Sequence, residues 1–343
     1  MVKFKSTFIV SLVLILIVGC FYATSFAQSI STANFPERPI KNIVYSAPGG
    51  STDANNRIIG ALMEEELGQK INVSNMSGGA GGEAVMYVWN SPHDGYTWLG
   101  HSEGLCTHVV NGYHDKSARE WEYFIIAGAP SVILVRADSP HKTYDDLIDY
   151  AKENPGNLTW SVSGIGKLFH IKSYIATNLG AVKVEFVPYS GSRPSILACL
   201  SGEVDVVSAS VQEVADFIKS GDLRPIAMME NEDYDFPGFG VIPTVTKTFP
   251  EVSKYYPLNQ FLSFAVAVDT PQNVIDKIDV AFKSAIKSPR MVKFAEEQLA
   301  VLYGLSGKKA KDMVLKNESV LSWFLQDMGL AINSPEDFDI PRP

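Results

Sequence analysis

The sequence predicts an α/β protein made of two lobes joined by two crossover strands around a cleft. Short β-rich runs alternate with helical periods along most of the chain, which is the pattern of parallel strands linked by crossover helices. A length of 343 residues exceeds one ordinary domain and suggests two of about 150 residues each. Two apolar strands, near Ser131 and near Leu262, separate two clusters of βαβ pattern. The chain therefore leaves the first cluster once and returns once. The expected lobes are 36–130 plus 265–343, and 131–264.

The elements follow in order. Residues 40–46 are apolar and β-rich and end in Ala47-Pro48-Gly49-Gly50, a strand feeding a turn. Ser51-Thr52-Asp53 supplies helix N-cap types, and Ile58, Ile59, Leu62, Met63 and Leu67 recur at helical spacing until Gly68. A strand at 70–73, a glycine-dense loop at 75–82, a helix at 83–89 and a strand at 96–100 complete the first cluster. In the second, strands at 131–135, 158–161, 184–188, 204–208 and 225–229 alternate with helices at 144–153, 168–179, 193–200 and 211–220. The stretch 230–257 is rich in Pro, Gly and aromatics and reads as irregular surface. Residues 262–268 form a strand. The remainder reads as helical, at 271–287, 289–299 and 308–329, and should pack on the first lobe and leave the cleft free.

The N-terminus reads as an export signal. Lys3 and Lys5 precede an apolar run from Phe8 to Val18, and Ser25-Phe26-Ala27 offers a cleavage site that would make 1–27 a signal peptide. Ile17-Val18-Gly19-Cys20 fits a lipobox as well, which would make 1–19 a lipoprotein signal with Cys20 lipidated; an uncleaved anchor is the third reading. All three place the folded part in the periplasm or elsewhere outside the cytoplasm. The formal charge is −9, and losing Lys3 and Lys5 would bring it to about −11. That balance argues against nucleic acid and anionic membrane surfaces, but not against a small anion held by local dipoles. Cys106 and Cys199 read as two unpaired thiols, with a disulfide as the alternative that an oxidising compartment permits.

The chemistry is expected in the loops. Ala47-Pro48-Gly49-Gly50-Ser51-Thr52-Asp53 brings a strand through a glycine turn into a helix start. Such a start presents unpaired N–H donors and about half a positive charge, enough to hold carboxylate or phosphate. The alternative is a plain βα turn in which Ser51 or Asp53 caps the helix. Ser77-Gly78-Gly79-Ala80-Gly81-Gly82-Glu83 is a second glycine-rich helix entry, without the spacing of a P-loop or a dinucleotide site. Ser161-Val162-Ser163-Gly164-Ile165-Gly166-Lys167 and Tyr189-Ser190-Gly191-Ser192-Arg193-Pro194 are the corresponding loops of the second lobe. Arg193 has the fork suited to a carboxylate, or is an ordinary solvated arginine.

At this point the sequence resembles the Bug-type substrate-binding proteins of tripartite tricarboxylate transporters. The resemblance rests on Phe35-Pro36-Glu37-Arg38-Pro39-Ile40, the Ala47 to Asp53 turn, Gly68-Gln69-Lys70-Ile71-Asn72-Val73 with Gly79-Ala80-Gly81-Gly82, and Asp94-Gly95-Tyr96-Thr97. It continues through Tyr150-Ala151-Lys152-Glu153-Asn154-Pro155-Gly156, Val187-Pro188-Tyr189-Ser190-Gly191-Ser192 and Gly202-Glu203-Val204-Asp205-Val206. Each motif is weak alone; their order and spacing over almost the whole chain are specific. The resemblance implies a type II periplasmic-binding-protein fold, no catalysis and no cofactor. It implies a small carboxylate held by Pro48, Gly49, Gly50, Ser51 and Asp53, then Gly81 and Gly82, then Ser163 and Gly164. It implies a receptor serving membrane transporter subunits, and the chain is expected to be a monomer.

Departures from the family pattern fall in the remaining loops. Tyr45 stands where Pro is frequent, and His101, Ser102 and Glu103 stand where small or hydroxyl residues are usual. Lys167, His170 and Arg193 replace more neutral residues. Glu103, His170 and Arg193 are accordingly expected to rebuild the far end of the site, with Glu103 pairing with Lys167 or Arg193 or meeting an amine on the ligand. Rival classes have less behind them. There is no G-x-S-x-G or H-E-x-x-H, so a hydrolase would rest on Ser163 and His170 alone. His93, His101, His108 and His114 match no closed zinc spacing. A sensor feeding a membrane signalling partner is the alternative with the same fold.

Overall fold

The computed structural model describes residues 34–189, 191–258 and 260–343. The signal over 1–27 and the lipobox at Cys20 lie outside them. From Pro36 onward the chain forms one compact unit built on two large sheets.

The first sheet opens with β1 (Ile40–Val44), α1 (Ser51–Leu67), β2 (Ile71–Asn75), α2 (Gly82–Trp89) and β3 (Thr97–Ser102), and adds β4 (Trp121–Gly128). The second contains β5 (Ser131–Arg136), α3 (Tyr144–Glu153), β6 (Thr159–Val162), α4 (Leu168–Ala176), β7 (Glu185–Pro188), α5 (Ser192–Ser201), β8 (Val206–Ser210), α6 (Val211–Ser220) and β9 (Leu223–Met228). A small hairpin, β10 (Tyr234–Phe236) and β11 (Gly240–Ile242), leads back to β12 (Leu262–Ala267), α7 (Gln272–Ile286), α8 (Pro289–Glu297), β13 (Val301–Ser306) and α9 (Gly307–Asp327). The strand orders are β13-β4-β12-β3-β1-β2 and β7-β6-β8-β5-β9.

The βαβ units do give parallel pairs: β1 lies parallel to β2 and β3, and β6 parallel to β7 and β8. β5 and β12 run antiparallel to their neighbours. β5 enters its sheet directly from the first, and β12 returns through the hairpin and single-turn helices; neither follows a crossover helix from a strand of its own sheet, so the parallel βαβ pattern does not extend to them. Two more strands escaped the sequence reading. β4 is buried along almost its whole length, and β13 is a half-buried edge strand in a region read as helical. The 230–257 stretch is not merely irregular surface. Phe236, Ile242, Val245, Val252 and Tyr256 are buried there, because its aromatic and β-branched residues pack inward around the hairpin and single-turn helices.

Aromatic stacking organises the centre of the first sheet. Phe264 on β12 stacks on Trp98 of β3 and Phe124 of β4, with ring centroids 4.6 and 4.7 Å apart. Such pairs across neighbouring strands add to the burial of three large side chains. The passages between the sheets are held by one buried lysine. Lys172 on α4 is fully buried; its Nζ donates to Glu230 Oε1 at 2.7 Å and to the Leu258 carbonyl at 3.0 Å. Glu230 Oε1 also accepts the Ser131 amide at 3.0 Å. Ser131 begins β5 after the outward passage and Leu258 precedes β12 on the return, so this side-chain pair ties both passages to α4.

Candidate functional site

The carboxyl end of β1 leads to a turn whose geometry is set from inside the protein. Gly49 has φ +82, a left-handed conformation that favours glycine, and a Cβ there would meet nothing within 4 Å. Conformation rather than crowding explains it. Asp53 is 3% exposed and turned toward the turn. Its carboxylate accepts the Gly49 amide at 2.9 Å, Arg57 Nε at 3.0 Å and Asn75 Nδ2 at 2.9 Å, and Asn75 also donates to the Ser46 carbonyl at 3.0 Å. Burial alone would raise the Asp53 carboxyl, but these donors hold it below the usual carboxylate range. Asp53 thus braces the turn, and the Gly49 N–H is taken by Asp53. The first-turn amides of α1 have no intrahelical acceptor and carry the positive end of the helix dipole.

The second glycine loop closes on Tyr45. Gly79, Ala80 and Gly81 all have positive φ, of 57°, 55° and 97°. For Ala80 this is a strained conformation of the kind that concentrates at functional sites. A Cβ on Gly81 would lie 2.7 Å from the Tyr45 ring, one on Gly104 2.8 Å from its hydroxyl, and one on Gly82 2.8 Å from the Tyr113 carbonyl. The glycines let two loops close tightly around one aromatic side chain. Tyr45 bonds Ser102 Oγ at 2.6 Å, stacks on His108, and has its hydroxyl pushed up by burial and then by the charge of Glu103.

Together these segments enclose a cavity of about 570 Å³. Its polar side presents Tyr45, Ser46, Thr52, Ser77, Glu103 and His108; its other side is Ile165, Leu168, Leu321, Leu325 and Leu330, with Lys167 at the second-sheet loop. Ser46 Oγ and Glu103 Oε2 are buried in this wall without a hydrogen-bond partner among the described residues. Buried polar atoms are normally paired, so both are unusual, and both are packed behind the surface of the cavity rather than open to it. Burial pushes the Glu103 carboxyl up to about 7, against smaller opposing contributions from its own backbone, Ser102 and Phe261. Glu103 and Lys167 are the one acid and the one cation in the lining, and neither forms an ion pair within the described residues. His108 is neutral, lowered to about 3 by burial and by His114. The Lys116 amide donates to His114 Nδ1 at 3.1 Å, so His114 Nε2–H donates to His108 Nδ1, also at 3.1 Å, and the His108 proton sits on Nε2.

The sequence-selected residues therefore occupy different positions. Glu103 lines the cavity. Pro48, Gly49, Gly50 and Ser51 are exposed beside it, with Thr52 in the wall. Gly81 and Gly82 lie behind Ala80, packed on Tyr45 and Tyr113. Ser163 is buried and Gly164 half-buried, one step before the lining residues Ile165 to Leu168. His170 accepts the Gly166 amide on Nδ1 at 3.0 Å, which clips that loop, and faces a second groove. The Arg193 guanidinium lies over the Phe217 ring, 5.6 Å from its centroid, away from the cavity lining. Cys106 and Cys199 are both free and buried. Among the described residues no group of three or more His, Cys, Asp or Glu is placed to hold a metal, and no helix is long and apolar enough to cross a membrane.

Sequence reasoning missed Ser46, whose orphan hydroxyl carries no sequence signal. It also missed the C-terminal wall. The expectation that the terminal helices leave the cleft free is corrected: Leu321 and Leu325 on α9, and Leu330 after it, form the aliphatic side of the cavity, and a Cβ on Gly166 would lie 2.7 Å from Leu325. The apolar period of α9 showed a buried face but not which surface would bury it.

The chain is similar to known proteins in sequence and fold. Residues 56–320 match the model of the tripartite tricarboxylate transporter family receptor. A protein encoded in the tcbD-tcbE intergenic region of a Pseudomonas species is 31% identical over 78% of this chain and 79% of its own. BugT of Bordetella pertussis is 27% identical over 69% of this chain and 74% of its own. A solved R. palustris structure with adipate superposes with a TM-score of 0.69 at 23% identity, over 87% of this chain and 99% of its own, and shares the two-lobed periplasmic-binding-protein fold. With a family match over more than half its length, two sheets facing a cavity and loops of the expected order, the chain belongs to the tripartite tricarboxylate transporter receptors, the Bug-type solute-binding proteins.

Proposed function

We propose that this protein captures a small organic carboxylate by closing its two lobes and delivers it to the membrane subunits of a tripartite uptake transporter, with no bond made or broken. The lobes are taken as 36–130 plus 265–343, and 131–264. One observation carries the reading: the cavity reaches the first turn of α1 at Thr52, with Ser46 beside it in the same wall. A carboxylate there would accept from the Ser46 and Thr52 hydroxyls and face the positive end of the helix. The adipate held by the R. palustris relative supports the ligand class. Glu103 is the one acid in the lining, so the ligand is read as carrying an amine as well. Pro48 to Ser51 and Gly164, each adjacent in sequence to lining residues, are read as the segments that closure brings onto the ligand. A ligand favours the closed form only by its extra affinity for it. The protein is read as a monomer, exported by residues 1–27 or tethered through Cys20.

A thermal-shift screen over mono-, di- and tricarboxylates and amino acids tests this directly. At a ligand concentration 100 times Kd, binding to the folded state adds about 2.7 kcal/mol and raises the midpoint. No rise with any member of the panel at 10 mM would count against the reading.

A further inference from the structure

The aliphatic side of the cavity offers nothing to a small polyacid. Ile165, Leu168, Leu321, Leu325 and Leu330 present methyl groups, whereas a di- or tricarboxylate of a few carbons has charge at both ends and little apolar surface to bury against them. This wall does not end at the cavity. Ile165 and Leu330 also border an open groove of about 630 Å³, where the apolar surface continues through Tyr174, Val184, Phe186 and Met328. Ile165 is 45% exposed and Leu330 37% exposed. Large apolar side chains left in solvent at the junction of two concave surfaces mark a place where something apolar binds. Leu330 is held in place rather than left loose: the Leu330 amide donates to the Leu325 carbonyl at 2.8 Å, and the Ile332 amide to the Val110 carbonyl at 2.8 Å.

We propose that the ligand is a carboxylate with an extended apolar body, aliphatic or aromatic, whose far end runs past Ile165 and Leu330 into the groove between α4 and β7. This rests on the reading of the cavity as a carboxylate site and adds the substrate class. The polar side takes the head group; the length and hydrophobicity of the remainder decide affinity.

The test is calorimetric titration of the protein with straight-chain alkanoates from four to twelve carbons, each with and without a 2-amino group. Burying each added methylene should tighten binding by about threefold to fourfold in both series until the chain outgrows the groove. Ile165→Asn and Leu330→Asn should each reduce the gain per methylene. Both side chains are substantially exposed, so neither change removes core packing, and the melting midpoint of each unliganded variant checks folding. Short acids that bind with no gain on lengthening, or a gain unchanged in both variants, would overturn the proposal while leaving the carboxylate reading intact. Failure of every acid at every length would overturn this proposal too, while the carboxylate reading falls only if the di- and tricarboxylates fail as well.

Discussion

A single proton on Glu103 governs how the cavity treats a cation. Its carboxyl is pushed up to about 7 by burial, and one of its oxygens has no partner among the described residues. A ligand ammonium needs the ionised form, so affinity for an amino-bearing carboxylate should rise by roughly tenfold from pH 6 to pH 8. Glu103→Gln should flatten that profile; an unchanged slope in the variant would contradict the assignment. The same shift has the opposite sign for the empty protein. A carboxyl raised on folding favours the folded state below its unfolded pKa, and that contribution is lost as pH rises through about 7. Unliganded Glu103→Gln should therefore be the more stable form at pH 8, and no different at pH 4. At this scale the sequence was informative where a residue departed from its family. Glu103 stood out in that way. It was silent about Ser46, because a hydroxyl left without a partner is a product of packing. Asp53 was legible as a member of the first loop, but its bracing of Gly49 depends on Arg57 and on Asn75, which reaches it from β2.

The decisive element is α4, which carries Lys172 into the core. Burial lowers the Lys172 ammonium, and the charge of Glu230 works against that. Removing one partner of such a pair leaves an uncompensated charge and an unpaired carbonyl. Lys172→Met is expected to cost about 3–5 kcal/mol in denaturant unfolding at pH 7. Adding Glu230→Gln should restore part of the loss, since the remaining partner is then neutral. A single-variant loss under about 1 kcal/mol would show that the pair does not hold the two passages. The glycine-bounded βαβ elements were legible because their apolar periods and turn residues agree. β4 was not singled out, although it is buried like β12, because no glycine turn or helical period brackets it; β13 was not, because a half-buried edge strand between helices has little pattern of its own. The 230–257 hairpin was hidden by composition: Pro and Gly suggested surface while Phe236 and Ile242 were already core residues.

Across the whole molecule, the two-sheet plan was readable from the count and order of βαβ units. The closeness of α9 to the cavity was not, since it depends on how a terminal helix packs long after the chain has returned to the first sheet. A net charge of −9 does not oppose anion binding here. On the proposed reading the attraction is local, from the start of α1 and a few hydroxyls, and charges farther away than about 8–10 Å are screened at physiological salt. The most direct measurement compares acid with amide: calorimetric titration of the protein with a carboxylate that stabilises it, beside the isosteric primary amide, in wild type and in Thr52→Val. Binding of the acid, at least tenfold weaker binding of the amide and a loss of acid affinity in the variant are expected. Equal affinity for acid and amide, or a variant that binds the acid as well as wild type, would contradict the claim that a negative charge is held at the first turn of α1.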